Sequence, residues 1–282
     1  MKRPALASLA LLLLAPAAAA QEPLFDNHVH LWKGAESLRE YRAQSKAAGL
    51  DPVAAVMWFG GPNQAREGNP DAIRASNDAI IALAKANPKL VPVATVHPYD
   101  GDAAIAEVRR VGAAGVKLLK IHAHTQKFDN ADPRVLAVVR AAGEVGVVVL
   151  MDNASILPGD NEKLFNLALS APKTRFIFAH MGAMGFRFWN MLKAARTAEG
   201  LFGENIYFDI SATVTLTADS PIEDEFVWTM RNVGIDHILL GSDYPQFSLK
   251  QTVEALEKLG LTAEELAKIR YGNARKLLGL KD

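Results

Sequence analysis

The chain has no cysteine among its 282 residues, which excludes disulfides, thiolate nucleophiles and cysteine-ligated metals. It has no excess charge of either sign. Its 31 Lys and Arg balance 31 Asp and Glu, and no basic run or basic stripe interleaved with aromatics occurs, so nucleic acid is not an expected partner. No apolar run is long enough to span a bilayer, because the longest, residues 5–15, falls short of the ~20 residues needed. No Gly-x-Gly-x-x-Gly follows the first strand-like run, which weighs against a dinucleotide fold. The absence of Gly-x-Ser-x-Gly and of His-Glu-x-x-His removes a serine nucleophile elbow and a helical zinc motif. Low-complexity linkers and internal repeats are also missing, so one domain is expected.

The N-terminus reads as an export leader. Lys2 and Arg3 give a positive start, a Leu/Ala-rich run follows, and Ala18-Ala19-Ala20 supplies a small-residue cleavage site before Gln21. Residues 1–20 are therefore expected to be removed, leaving 21–282 as a periplasmic or secreted domain with no stable membrane anchor. About 260 residues, half of them hydrophobic in the whole chain, suit a single α/β barrel.

From there the chain alternates apolar runs with amphipathic ones. Strands are expected over 24–30, 52–59, 91–96, 115–121, 147–151, 175–179, 206–210 and 237–240. Helices are expected between them, at 36–48, 102–113, 160–170, 187–200 and 248–259 among others. Asn69-Pro70 and Asp132-Pro133 open helices with a cap followed by proline. Ser220-Pro221-Ile222-Glu223 and Thr262-Ala263-Glu264-Glu265 read as capping boxes, the second opening a last helix to Leu278. The strands are continuous apolar runs, as expected when both faces are buried. The pattern predicts an α/β fold: a single (β/α)8 TIM barrel with a C-terminal extra helix. A doubly wound open sheet is the alternative.

In such a barrel the chemistry sits at the C-terminal strand ends. Six of the seven histidines fall there: His28 and His30 on strand 1, His97 on strand 3, His122 and His124 on strand 4, and His180 on strand 6. Lys120, Asp152 and Asp243 end strands 4, 5 and 8. His28 and His30 alternate with Val29 and so share a face, which suits one divalent ion.

These residues resemble the amidohydrolase superfamily, in its amidohydrolase-related branch of lactone hydrolases and decarboxylases. The motifs are His28-x-His30, Lys120-Ile121-His122 with Gln126 and Phe128, His180-Met181-Gly182, Gly241-Ser242-Asp243-Tyr244-Pro245 and Tyr271-Gly272-Asn273-Ala274, covering almost all of the mature chain. The resemblance implies that His28, His30 and Asp243 bind one divalent metal, usually zinc, with manganese as the alternative. It implies Asp243 as the acceptor of a proton from attacking water, and His180 as a stabiliser of charge developing on the substrate oxygen or as a group that helps orient the water. Most metal-dependent members place a histidine after strand 5, where this chain has Met151-Asp152-Asn153. Asp152 is expected to replace it as a ligand. A degraded metal site and an ion pair between Asp152 and Lys120 are the other readings. Lys120 either bridges two metals as a carboxylated lysine or, as favoured here, orients the substrate with His122. His97 divides evenly between a structural and a functional role, and His124 is read as solvated.

Around this centre Trp32, Trp58, Phe59, Tyr99 and Tyr244 are candidates for an apolar pocket, and Arg66 and Arg187 for a carboxylate fork. The expected activity is metal-dependent hydrolysis of a small lactone, ester or amide by activated water. One alternative is metal-assisted decarboxylation of an aromatic or muconate-type acid. Another is a non-catalytic periplasmic binding protein on a degenerate barrel. The expected partner is a small carbonyl- or carboxylate-containing molecule, and the sequence allows a homo-oligomer.

Overall fold

The apolar runs form eight short strands: β1 (Phe25–His30), β2 (Val53–Met57), β3 (Leu90–Thr95), β4 (Leu118–Ile121), β5 (Val148–Met151), β6 (Phe176–Phe178), β7 (Ile206–Asp209) and β8 (Ile238–Leu239). They pair in parallel and in sequence order in one sheet. The computed structural model describes residues 22–60, 64–197 and 205–280. The expected leader, residues 1–20, lies outside the described residues. No described helix is long and apolar enough to cross a membrane.

The sheet closes on itself. Asn27 N donates to Leu240 O (3.0 Å), Asp243 N to His28 O (2.9 Å) and His30 N to Tyr244 O (2.8 Å), and Val29 pairs in parallel with Tyr244. The architecture is thus a (β/α)8 barrel and not an open sheet. Alternate strand residues sort onto two sides. Ala55, Met57, Val93, Leu118, Val148, Leu150, Ile177 and Leu239 fill the interior. Ala54, Val56, Leu119, Val149, Phe178, Phe208 and Ile238 pack outward against helix residues such as Tyr41, Val108, Val138, Leu164 and Leu256.

β1 departs from this alternation in a way that makes the site. Phe25 faces inward, so by strict alternation Val29 would too, and His28 and His30 would face the helices. The register shifts instead: Asp26 pairs with Ala54 but Val29 with Val56, so β1 carries one extra residue. This bulge turns Val29 outward into the helix-side core and His28 and His30 inward.

Asp26 holds the bulge to the far end of the chain. Its Oδ1 accepts from His28 N (3.2 Å) and Ser242 N (2.8 Å), and its Oδ2 accepts from Ser242 Oγ (2.7 Å) and Tyr41 OH (2.9 Å). Burial pushes this carboxyl up to about 6 although all these donors pull it the other way. Gly241, just before Ser242, leaves room for the seam. A Cβ there would lie 3.1 Å from His28 Cβ and 3.4 Å from Asp209 Cγ.

Some helix ends differ from expectation. Asp132 caps Arg134 N, and Thr262 and Glu265 form a capping box. Ser220 and Glu223 do not form one, because the helix begins at Glu223 and the Glu223 carboxylate takes Asp219 N. Of the expected helix over 187–200, residues 187–190 lie in a 3-10 stretch and Met191–Ala195 form a short helix, while 198–200 lie outside the described residues.

Replacing Asp26 with alanine orphans buried donors at the seam, each worth ~1–3 kcal/mol. Asp26→Ala will lower the urea midpoint by an amount equivalent to about 3 kcal/mol, and Tyr41→Phe, which removes one donor, by about 1 kcal/mol.

Candidate active site

The bulge and the seam bring three ligand atoms together at the barrel mouth. His28 Nε2 and His30 Nε2 are 3.1 Å apart, and Asp243 Oδ1 lies 3.6 and 3.4 Å from them. Their outer atoms are fixed. His30 Nδ1 donates to Phe59 O (2.8 Å), and since a carbonyl only accepts, the ring proton is on Nδ1. His28 Nδ1 lies 3.1 Å from Asp209 Oδ2, which fixes the same tautomer. Burial, reinforced by Lys120 and opposed by Asp209 and Asp243, pushes His28 down to about 4, so the ring is neutral. His28 Nε2 therefore keeps its lone pair, turned toward His30 Nε2 and the Asp243 carboxylate. Lys120 Nζ, 3.2 Å from His28 Nε2, is the only cationic group within hydrogen-bond distance of that pair among the described residues. Asp243 is buried with φ of 62°, and its Oδ2 accepts from Gln246 Nε2 (3.0 Å), leaving Oδ1 turned to the histidines. Burial works to raise its pKa, but His28, His30 and His180 outweigh that and hold it below the usual carboxylate range.

Asp209, at the end of β7, organises the other wall and was not singled out in the sequence. It is fully buried; Oδ1 accepts from His180 N (3.1 Å), Ser211 N (3.1 Å) and Ser211 Oγ, and Oδ2 from His28 Nδ1 and Asn27 Nδ2 (3.3 Å). Burial alone would raise it, yet His28, His180 and Ser211 hold it well below the carboxylate range. His28, His180 and Asp209 also bring ligand atoms within 4.8 Å of one another, but hydrogen bonds through Ser211 already join them.

His180 reaches the mouth by a backbone turn. Ala179 faces the interior, so His180 would alternate outward. Positive φ at His180 (62°), Met181 (46°) and Ala183 (45°) breaks the alternation. Such strain in non-glycine residues collects at functional sites, and here Asp209 and Thr213 Oγ1, which donates to His180 O (2.6 Å), hold it. His180 Nδ1 faces Ser211 O (3.1 Å) and Nε2 faces Asp152 Oδ1 (3.5 Å), so both nitrogens point at acceptors. Burial opposes the charge, but Asp152, Asp209 and Asp243 outweigh it and push His180 up to about 9.

Asp152 is not in the group formed by His28, His30 and Asp243. Its Oδ1 lies between His180 Nε2 and His122 Nε2 (3.6 Å), and these neighbours with Lys120 hold it far below the usual range although burial works the other way. No ion pair within 4.0 Å joins it to Lys120 among the described residues. Lys120 is buried at 1% exposure, which lowers its pKa although Asp152, Asp209 and Asp243 act to raise it. Burial also pushes His122 down to about 3 although Asp152 pulls it up.

These groups floor a cavity of about 370 Å³ whose walls include Trp32, Phe59, Ile156, Leu216 and Phe247. The arginines stay away. Arg66 is exposed and lines a separate depression with Gln64, Ala65 and Asn69, and Arg187 forks onto Glu225 (2.6 and 2.5 Å). Tyr244 is buried in the seam against Tyr41, and Tyr99 packs under Arg134. His97 is structural on both nitrogens: Nδ1 accepts from Tyr99 N (3.2 Å) and Nε2 donates to Gln126 O (2.7 Å). His124 pairs with Asp160 at 3.1 Å.

The family model described as amidohydrolase matches residues 25–280. The chain belongs to the amidohydrolase family. No curated protein matches the sequence. Among solved structures, 5-carboxyvanillate decarboxylase from Sphingomonas paucimobilis is similar at 17% identity and TM-score 0.70, over 93% of this chain and 100% of that one. 2,6-Dihydroxybenzoate decarboxylase from Rhizobium is similar at 15% identity and TM-score 0.68, over 92% and 99%. A 5-carboxyvanillate decarboxylase from Novosphingobium aromaticivorans, crystallised with manganese and a nitrobenzoic acid, is similar at 17% identity and TM-score 0.68, over 92% and 96%. At these identities the likeness carries the fold.

In the metal-free amidohydrolase-family protein, His28 will stay neutral down to about pH 4 and His180 will keep its second proton up to about pH 9. Imidazole shifts followed by NMR across pH 3.5–10 check both, and His28 will show its proton on Nδ1.

Proposed function

We propose that this chain is a metal-dependent hydrolase of a small ester, lactone or amide. The observation that carries the reading is the meeting of the His28 and His30 Nε2 atoms with Asp243 Oδ1, an arrangement that Phe59 O, Asp209 and Gln246 hold from outside. Two imidazoles and a carboxylate fit zinc or manganese, and ligands of this kind are held in place by hydrogen-bond partners on their far sides. His28, His30 and Asp243 would hold the divalent ion, which would supply Lewis acidity for the carbonyl and lower the pKa of water.

The remaining work falls to the chain itself. Asp243, ionised and next to the ligand nitrogens, accepts the proton of the attacking water. His180, charged and backed by Asp152, faces the cavity and stabilises negative charge developing on the substrate oxygen. Asp152 acts as the counter-charge of His180, with His122 as its neutral neighbour, and does not stand in for the strand-5 histidine. Lys120 and His122, on one face of the β4 end, hold the substrate, with Trp32 as a wall. Arg66 is too far removed to share that role. The basic start and Ala-rich run over residues 2–20 support action in the periplasm or outside the cell.

Decarboxylation of an aromatic acid is the second reading. The solved decarboxylases of the same fold favour it, and the same residues would serve it.

The mature protein, purified without a metal-binding tag, will carry about one equivalent of zinc or manganese. His28→Ala and Asp243→Asn will lose the metal. Asp152→Ala will keep it while turnover of aryl esters or lactones falls on the order of 10²–10³-fold. Release of carbon dioxide instead of a hydrolysed acid moves the assignment to the second reading. A protein that takes up neither metal, under conditions where His28→Ala behaves identically, ends the metal-dependent reading.

A further inference from the structure

The cavity separates its charges from its walls. Its charged lining groups, Lys120, Asp152, His180 and Asp243, all stand on the floor at strand ends. Every one of them already faces a partner of the site. The upper walls come from segments beyond the strand ends and carry Trp32, Phe59, Ile156, Leu216 and Phe247, with Gln64, Thr125 and Gln246 as the uncharged polar members. No arginine lines the cavity among the described residues. Arg66 and Lys127 line an adjoining depression instead. Gln64 and Thr125, bonded to each other at 3.1 Å, border both spaces and stand between them. Ile156 and Leu216 are 68% and 54% exposed, so the rim offers apolar surface that gains by being covered.

We infer that the substrate is polar at one end only: a single reacting carbonyl group at the floor and an uncharged aryl or branched alkyl body against the rim. A carboxylate at the far end would lose its water without gaining a cationic partner. Di-acids of the muconate type are thereby disfavoured. The volume sets the size. Scaling from the ~150 Å³ that holds benzene, 370 Å³ holds on the order of fifteen non-hydrogen atoms. This specificity rests on the proposed metal site only for the anchoring of the reacting end.

Matched probes that differ only at the far end test it. In the metal-loaded protein, calorimetry compares 4-isopropylbenzohydroxamic acid with 4-carboxybenzohydroxamic acid, whose shared hydroxamate chelates divalent ions. The same comparison is made without metal for 4-isopropylbenzamide and 4-carboxybenzamide. The neutral member is expected to bind at least tenfold tighter in each pair. Leu216→Arg, a change at an exposed rim position, is expected to narrow or reverse the preference while metal content stays the same. Equal binding, tighter binding of the carboxylate member, or no binding by any of the four overturns the inference. Failure to take up metal overturns the proposed function instead, and the amide pair then decides the specificity alone.

Discussion

The site depends on how β1 meets the segment after β8. One extra residue in β1 reverses the facing of everything after it, so the interior receives imidazoles in place of Val29. The same distortion exposes backbone groups that must be satisfied; the returning chain meets them with three backbone bonds, and the carboxylate of Asp26, on β1 itself, takes His28 N and ties it to Ser242. Barrel closure and assembly of the candidate ligand group are therefore one event. Asp243 cannot take its place beside His28 and His30 unless its N–H reaches His28 O, which is itself a bond of the closed barrel.

Closing a barrel around charges carries a desolvation cost that only mutual pairing offsets. The interior answers this by interleaving. Asp209 lies among His28, His180 and Ser211; Asp152 lies between His180 and His122; Asp243 lies beside His28 and His30; Lys120 reaches into the same cluster. The result is two histidines driven in opposite directions by the same kind of burial. His28 loses its charge because Lys120 adds to the cost of burial. His180 keeps its charge because three carboxylates outweigh that cost. Pairs of groups pushed apart in this way mark acid and base roles in a site.

Much of this was legible in the chain. The eight apolar runs, the parallel barrel and the sorting of histidines to strand ends follow from periodicity and composition, and the family resemblance follows from motifs in order. Three features were not legible, each for a physical reason. Asp26 and Asp209 sit inside strand-like runs, where a buried carboxylate is recognised only by donors distant in sequence: Ser242 and Tyr41 for one, His28 and His180 for the other. The bulge at β1 leaves no local mark, since no glycine or proline signals it. The loops beyond strand ends are free to carry Arg66 and Arg187 away from the mouth, so a loop arginine near a motif says little about where its guanidinium goes.

Asp152 shows how a substitution within a family pattern is best weighed. Seen as a sequence change, it replaces one kind of metal ligand with another. In space it does something different, because its carboxylate addresses two imidazoles of neighbouring strands and neither of the two on β1. A histidine at this position would place a third imidazole against His122 and His180 and remove the anion that keeps His180 charged. The aspartate thus keeps His180 charged and leaves His28, His30 and Asp243 as the candidate ligand group. A three-ligand group of this kind leaves coordination positions for water and substrate, as catalytic metal sites require. The departure from the family pattern is accordingly compatible with catalysis, and the loss of the strand-5 histidine is weak support for a worn-out scaffold.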